Sequence, residues 1–211
     1  MLFRSQSTEL GTCYSPDELR ALTSTAHRLG LRVHVDGARI ANAAARTGAS
    51  LRELTTDAGV DVLSFGATKN GGMFGDCVIV LDPQATAGLP YLKKASTQLP
   101  SKTRFVSAQL LALLQDGLWL RNAAHANAMA ERLHRGLLEI PGTRVTHPVH
   151  ANAVFAVLPD GVADALRQRW TFSTWDATTG EVRLMTSFDT TADDVDALVA
   201  AAHAATGRIP A

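Results

Sequence analysis

A chain of 211 residues fits one domain of ordinary size, or one large and one small lobe. Its 20 basic residues offset 20 acidic ones, so no net field draws it to nucleic acid or an anionic membrane. Apolar residues make up 46% of it, enough for a sizeable core, while Cys13 and Cys77 are too few for a disulfide framework.

A reducing cytosol is therefore the default compartment. The opening residues carry no long apolar segment and no later run approaches membrane length, so the expectation is a soluble, cytoplasmic protein.

In chain order, Leu2 to Thr8 reads as a short strand. Ser15-Pro16-Asp17-Glu18 starts a helix: Ser15 caps, Pro16 suits the first helical position and Glu18 completes a capping box. Leu19, Leu22, Ala26 and Leu29 give its buried face, and Gly30 ends it. Leu31–Val35 is apolar enough for a strand of a parallel sheet, which makes a β-α-β unit ending at Asp36. Helices are predicted over Ile40–Arg46, ended by Gly48, and over Ser50–Thr55. Val60–Thr68 is a second strand, and Cys77–Leu81, after a short glycine-rich turn, must return antiparallel beside it.

Leu89–Ala95 reads as helical, and Phe105 to Leu138 as a long helical stretch with Val106, Leu110, Leu113, Leu114 and Leu118 on one side and a break at Gly117. Pro141-Gly142 marks a lobe boundary, dividing the chain into 1–140 and 141–211. Beyond it the pattern alternates: strands at Thr143–His147 and Ala153–Leu158, a helix at Val162–Arg169, strands at Trp170–Trp175 and Val182–Phe188, and a last helix from Asp193 to Ala205 with Thr191 and Asp194 as its capping box.

Asp36 and Lys69 carry the chemistry. Each stands where a strand exits into glycine, and ligands of open α/β sheets sit beyond the carboxyl ends of the strands. Pyridoxal phosphate needs that pair: an amine to hold its aldehyde covalently and a carboxylate to keep its ring nitrogen protonated. Taken singly, Asp36 reads as a helix cap and Lys69 as a turn lysine. GATKNGGMFG is no phosphate-binding P-loop, because there the lysine follows the glycines and precedes Ser or Thr. Its glycines let the backbone approach a ligand or a neighbouring subunit. His147 and His150 lack a further ligand to complete a metal site and read as loop-edge residues. His34 is placed on the side of its strand opposite to Asp36, as a packed histidine, and Trp175 and Phe172 read as small-lobe core.

STELGTCYSPDELRAL, HVDGARIANAAARTG, SFGATKNGGMFGDCVIV, LPSKTRFVSAQLLALL, NAVFAVLP and VRLMTSFDTT, in that order, resemble the threonine aldolases, and in particular the bacterial low-specificity L-threonine aldolases. These belong with the β-eliminating lyases in the type I fold of pyridoxal-phosphate-dependent transferases. The resemblance implies an α/β fold: a partial large domain with a mostly parallel sheet, plus a small C-terminal α+β lobe. It implies pyridoxal 5'-phosphate as cofactor, held by Lys69 and Asp36, with Lys102 approaching its phosphate from a neighbouring subunit. Arg39 and Arg183 match the arginines that grip the substrate carboxylate, which a planar guanidinium reads bidentately.

The implied activity is retro-aldol cleavage of L-threonine or L-allo-threonine to glycine and an aldehyde, by a homodimer or homotetramer without a metal. The N-terminal third of such an aldolase lies ahead of this chain's first residues, and with it the glycine-threonine turn that cradles the phosphate. Two other readings stand beside it: a non-catalytic remnant acting through subunit association, and another lyase or transaminase of the same fold. Exposed apolar surface is a further expectation.

Overall fold

The computed structural model describes residues 2–4 and 10–207. Among these residues the strands form two sheets of four. The first has the spatial order β1 (Leu2–Arg4), β2 (His34–Gly37), β3 (Val62–Gly66), β4 (Asp76–Val80). β1, β2 and β3 are parallel, and β4 returns antiparallel beside β3, as its short connection requires. The rest of the first predicted strand, out to Thr8, lies outside the described residues.

Helix α1 (Pro16–Arg28) makes the crossover from β1 to β2. Its capping box is closed: Glu18 N–H donates to Ser15 Oγ at 3.3 Å and Ser15 N–H to the Glu18 carboxylate at 2.7 Å. Leu19, Thr23 and Ala26 are buried, whereas Leu22 is half-buried and Leu29, past the last helical residue, is 70% exposed. The predicted apolar strand begins late. Leu31 faces solvent and Val33 gives its N–H to the Asp61 carboxylate at 2.6 Å, so β2 starts at His34 and carries on through Asp36 to Gly37.

Val33, Val35, Leu63 and Phe65 form the buried side of this sheet, against Leu19 of α1 and Ile40, Ala43 and Ala44 of α2 (Ile40–Thr47). Gly48 ends α2 in the left-handed region, as expected. Residues 51–59 make successive turns instead of the predicted helix. Leu54 N–H reaches Ser50 O, but Asp57 N–H reaches Arg52 O and Val60 N–H reaches Thr55 O, so the helical repeat is lost.

Helices α3 (Leu89–Ala95), α4 (Thr103–Leu114) and α5 (Leu118–Leu138) follow. The expected break separates α4 from α5, with φ of 49° at Asp116 and 68° at Gly117. It also ends the single apolar face predicted across it: Leu113 is buried, but Leu114 and Leu118 are exposed.

The second sheet is antiparallel, with β5 (Arg144–Val145) beside β6 (Ala153–Val157), then β8 (Glu181–Met185), then β7 (Ser173–Asp176). α6 (Val162–Arg167), α7 (Ala192–Thr206) and the end of α5 cover one face, burying Leu133, Leu137, Val154, Val182 and Leu184. The Thr191–Asp194 capping box opens α7. Among the described helices none is long and apolar enough to cross a membrane, and Cys13 and Cys77 are not bonded to each other.

Candidate active site

β2 and β3 lie side by side and parallel, with Asp36 opposite Ser64 and Gly37 opposite Phe65. Asp36 is half-buried near the end of β2, and its Oδ1 accepts the Ala38 N–H at 3.0 Å. The plain capping role does not hold, because the N-cap of α2 is Arg39. Lys69 sits on the 3₁₀ turn Thr68–Asn70 just past β3. The carboxylate and the amine thus leave the same end of two adjacent strands. Lys69 is exposed, because the turn carries it beyond the strand end.

His34 shares a face with Asp36 and is not on the opposite side. The two are separated only by buried Val35, and side chains of a strand alternate with period two. His34 Nε2 lies 2.7 Å from Ser64 Oγ on the neighbouring strand.

Arg39, half-buried, starts α2 three residues after Asp36. Lys102 is exposed at the N-cap of α4, the helix whose Gln109 Oε1 accepts the Met73 and Phe74 N–H groups at 2.9 and 3.0 Å. The loop that follows the Lys69 turn is thereby tied to the middle of α4. Arg183 belongs to the second sheet. Its guanidinium lies over Phe155 at 5.8 Å and Trp175 at 5.6 Å, in the range of cation–π attraction. Trp175 is therefore not core: it is 38% exposed and flanks that arginine. Phe172 does pack against the second core. His147 meets Phe155 edge-on and lies 3.7 Å from Glu181, and His150 Nδ1 accepts the Cys13 N–H at 3.4 Å.

Sequence reasoning missed Asn70. It is 5% exposed, and its amide donates to Trp119 O at 2.7 Å while its own carbonyl accepts from Asn122 Nδ2 at 2.9 Å. The glycines of this loop fit close to the protein's own helices. Gly71 has φ of 107°, and a Cβ there would lie 2.8 Å from Asn122 Nδ2.

A mostly parallel sheet with an antiparallel edge strand, joined to a small antiparallel α+β lobe, is the partial type I fold of pyridoxal-phosphate-dependent transferases. Residues 2–160 match the model of the beta-eliminating lyases, and the chain belongs to that family. It is 44% identical over 187 residues to the low-specificity L-threonine aldolase of a Pseudomonas species, an alignment covering 88% of this chain and 54% of that enzyme. The solved threonine aldolase of Leishmania major superposes with a TM-score of 0.86 at 29% identity, covering 95% of this chain and 59% of that one. The serine palmitoyltransferase of Sphingomonas wittichii, at 16% identity and a TM-score of 0.68 over 99% of this chain and 55% of its own, shares the fold. The chain spans about half the length of the curated relatives it matches.

Proposed function

We propose that this chain carries the lysine, acid and arginine groups of a pyridoxal-phosphate-dependent aldehyde-lyase that cleaves L-threonine or L-allo-threonine to glycine and acetaldehyde. The observation that carries the reading is the placement of Asp36 and Lys69 at the same end of adjacent parallel strands, in a chain 44% identical to low-specificity threonine aldolases. The donor set suits the cofactor: one amine for its aldehyde, one carboxylate whose Oδ1 is already oriented by Ala38 N–H, and two guanidiniums for a substrate carboxylate. We take residues 1–140 as the partial cofactor-binding domain and 141–211 as the small domain.

In this reading the Lys69 amine would hold the aldehyde of the cofactor covalently. Asp36 keeps the proton on the ring nitrogen. Arg39 and Arg183 fix the substrate carboxylate and so orient the Cα–Cβ bond, and Lys102 serves the phosphate of a neighbouring subunit's site. The bound cofactor supplies the ring that takes up the electron pair as that bond breaks. A homodimer or homotetramer follows from this shared arrangement, with a small amino acid as substrate and the cytoplasm as compartment.

The second reading, a non-catalytic remnant that associates through its surfaces, is favoured by Val78, 60% exposed on the edge strand β4. The test is a visible spectrum of the chain with pyridoxal phosphate, then borohydride reduction and peptide mapping. A stable adduct confined to Lys69, with glycine and acetaldehyde released from threonine, supports the lyase. Labelling scattered over exposed lysines leaves the remnant.

A further inference from the structure

We infer that Asn122 and Asn127 of α5 are positioning residues that hold the Lys69 turn and the Arg39 helix at a fixed spacing, an inference whose functional meaning rests on the reading above. Asn122 Nδ2 donates to Asn70 O at 2.9 Å, and Asn70 Nδ2 donates to Trp119 O at 2.7 Å, three residues before Asn122. The peptide that follows Lys69 is thereby clasped from both its side chain and its backbone. Asn127, five residues further along the same helix, makes a reciprocal pair with α2: Asn42 Nδ2 donates to Asn127 Oδ1 at 2.9 Å, and Asn127 Nδ2 donates to Asn42 O at 3.0 Å.

Asn70 and Asn42 are 5% and 4% exposed, so the Asn70 carbonyl without Asn122, or the Asn42 amide without Asn127, would lose its partner away from water. The same helix reaches the second sheet, where Thr186 Oγ1 donates to Ala126 O at 2.7 Å, three residues past Arg183. One helix thus binds the elements that carry Lys69, Arg39 and Arg183. Its apolar packing uses other positions, namely Ala123, Ala126, Ala130, Leu133 and Leu137, so the asparagines add direction and spacing to contacts the core already makes.

The test is amide hydrogen exchange on the cofactor-free chain, which reads local opening segment by segment. Asn122→Ala should speed exchange at residues 70–72 at least tenfold and leave 153–157 of the second sheet unchanged. Asn127→Ala should do so at 42–44 and leave 70–72 unchanged. Asn122→Ser, which keeps a hydroxyl donor, serves where the alanine variant fails to fold, and should give a smaller change at the same residues. A second readout is the borohydride-trapped pyridoxal phosphate adduct at Lys69: its yield should fall about tenfold in Asn122→Ala relative to other lysines and hold in Asn127→Ala. Unchanged exchange at 70–72, or equal acceleration throughout the chain, overturns the inference. Absence of any Lys69 adduct in the unmodified chain instead overturns the functional reading, while the exchange data still decide this one.

Discussion

The guanidinium carbon of Arg183 stands 5.6 Å from the ring centroid of Trp175, and the Trp175 and Phe155 rings meet edge to face at 5.1 Å. Phe155 is Arg183's register partner on β6, and Ser173 of β7 is its partner on the other side. A buried ring and a half-exposed one therefore bracket the charge on the face of the small sheet away from its core. Trp175→Ala should cost the fold little, because that ring is 38% exposed, yet remove one of the two rings beside the guanidinium. Loss of one cation–π contact, about 1 kcal/mol, predicts roughly fivefold weaker binding of a carboxylate ligand. Calorimetric titration of the cofactor-loaded chain with glycine measures it. Glycine affinity that survives Trp175→Ala but vanishes in Arg183→Ala would show that the ring is not what orients the arginine.

Asp61 makes a pH prediction. It is 4% exposed and accepts from Val33 N–H at 2.6 Å, His27 Nε2 at 2.9 Å and Arg32 Nη1 at 3.4 Å, tying the end of α1, the entry to β2 and the start of β3. Burial alone would raise its carboxyl, but the Val33 N–H and the His27 and Arg32 groups outweigh burial and hold it below the usual carboxylate range. A depressed folded value means stability that is complete above the unfolded value and lost as pH falls through the folded one. Asp61→Asn should therefore cost about 1–3 kcal/mol at neutral pH, and the gap to the unmodified chain should close as acid protonates the carboxylate. Urea unfolding along a descending pH series decides it. A gap that stays constant into acid would mean the charge contributes nothing.

What could be read from the chain alone, and what could not, follows from range. Ser15–Glu18 and Thr191–Asp194 are bonds within a few residues, so the caps were legible as sequence. Asp36 and Lys69 stood out because strand ends are marked by glycine. The start of β2 was misplaced because Val33 gives its N–H to a carboxylate twenty-eight residues away, which an apolar run does not reveal. Asn70 bonds Asn122 across fifty-two residues, and no local pattern reports such a pair. Arg183's aromatic flanks were hidden likewise: Trp175 reads as apolar until the register of β7 and β8 is known.

The loop after Lys69 presents apolar side chains on a fixed backbone. Met73 and Phe74 are 90% and 60% exposed while Gln109 accepts both of their N–H groups, and Phe105 on the same helix is 58% exposed. Such a surface favours association. Replacing Met73 and Phe74 together by Ser should leave stability within about 0.5 kcal/mol, since neither side chain is buried. Sedimentation velocity over a range of concentrations should show weaker self-association in the double variant. Equal association would place the contact elsewhere, with Val78 and Ile79 on the open edge of β4 the next candidates, and Val78→Lys the variant to try.

Gly37, between Asp36 and Arg39, has no room for a side chain. A Cβ there would lie 2.5 Å from Leu63 Cδ1 and 2.8 Å from the Ser64 carbonyl oxygen. Leu63 is 4% exposed and packed in the first core, so it has little freedom to withdraw, and the carbonyl belongs to the adjacent strand. Gly37→Ala should therefore push β2 away from β3 at the point where both reach the site, at a cost of about 1–3 kcal/mol. Adding Leu63→Ala removes the side-chain clash but not the backbone one, and itself opens a cavity, so the double variant should remain less stable than either parent position predicts for relief. The urea midpoint of Gly37→Ala measures the first effect. A shift below about 0.5 kcal/mol, the range of an ordinary surface substitution, would show that the strand ends can part without strain and that Asp36 is not held against β3 by this contact.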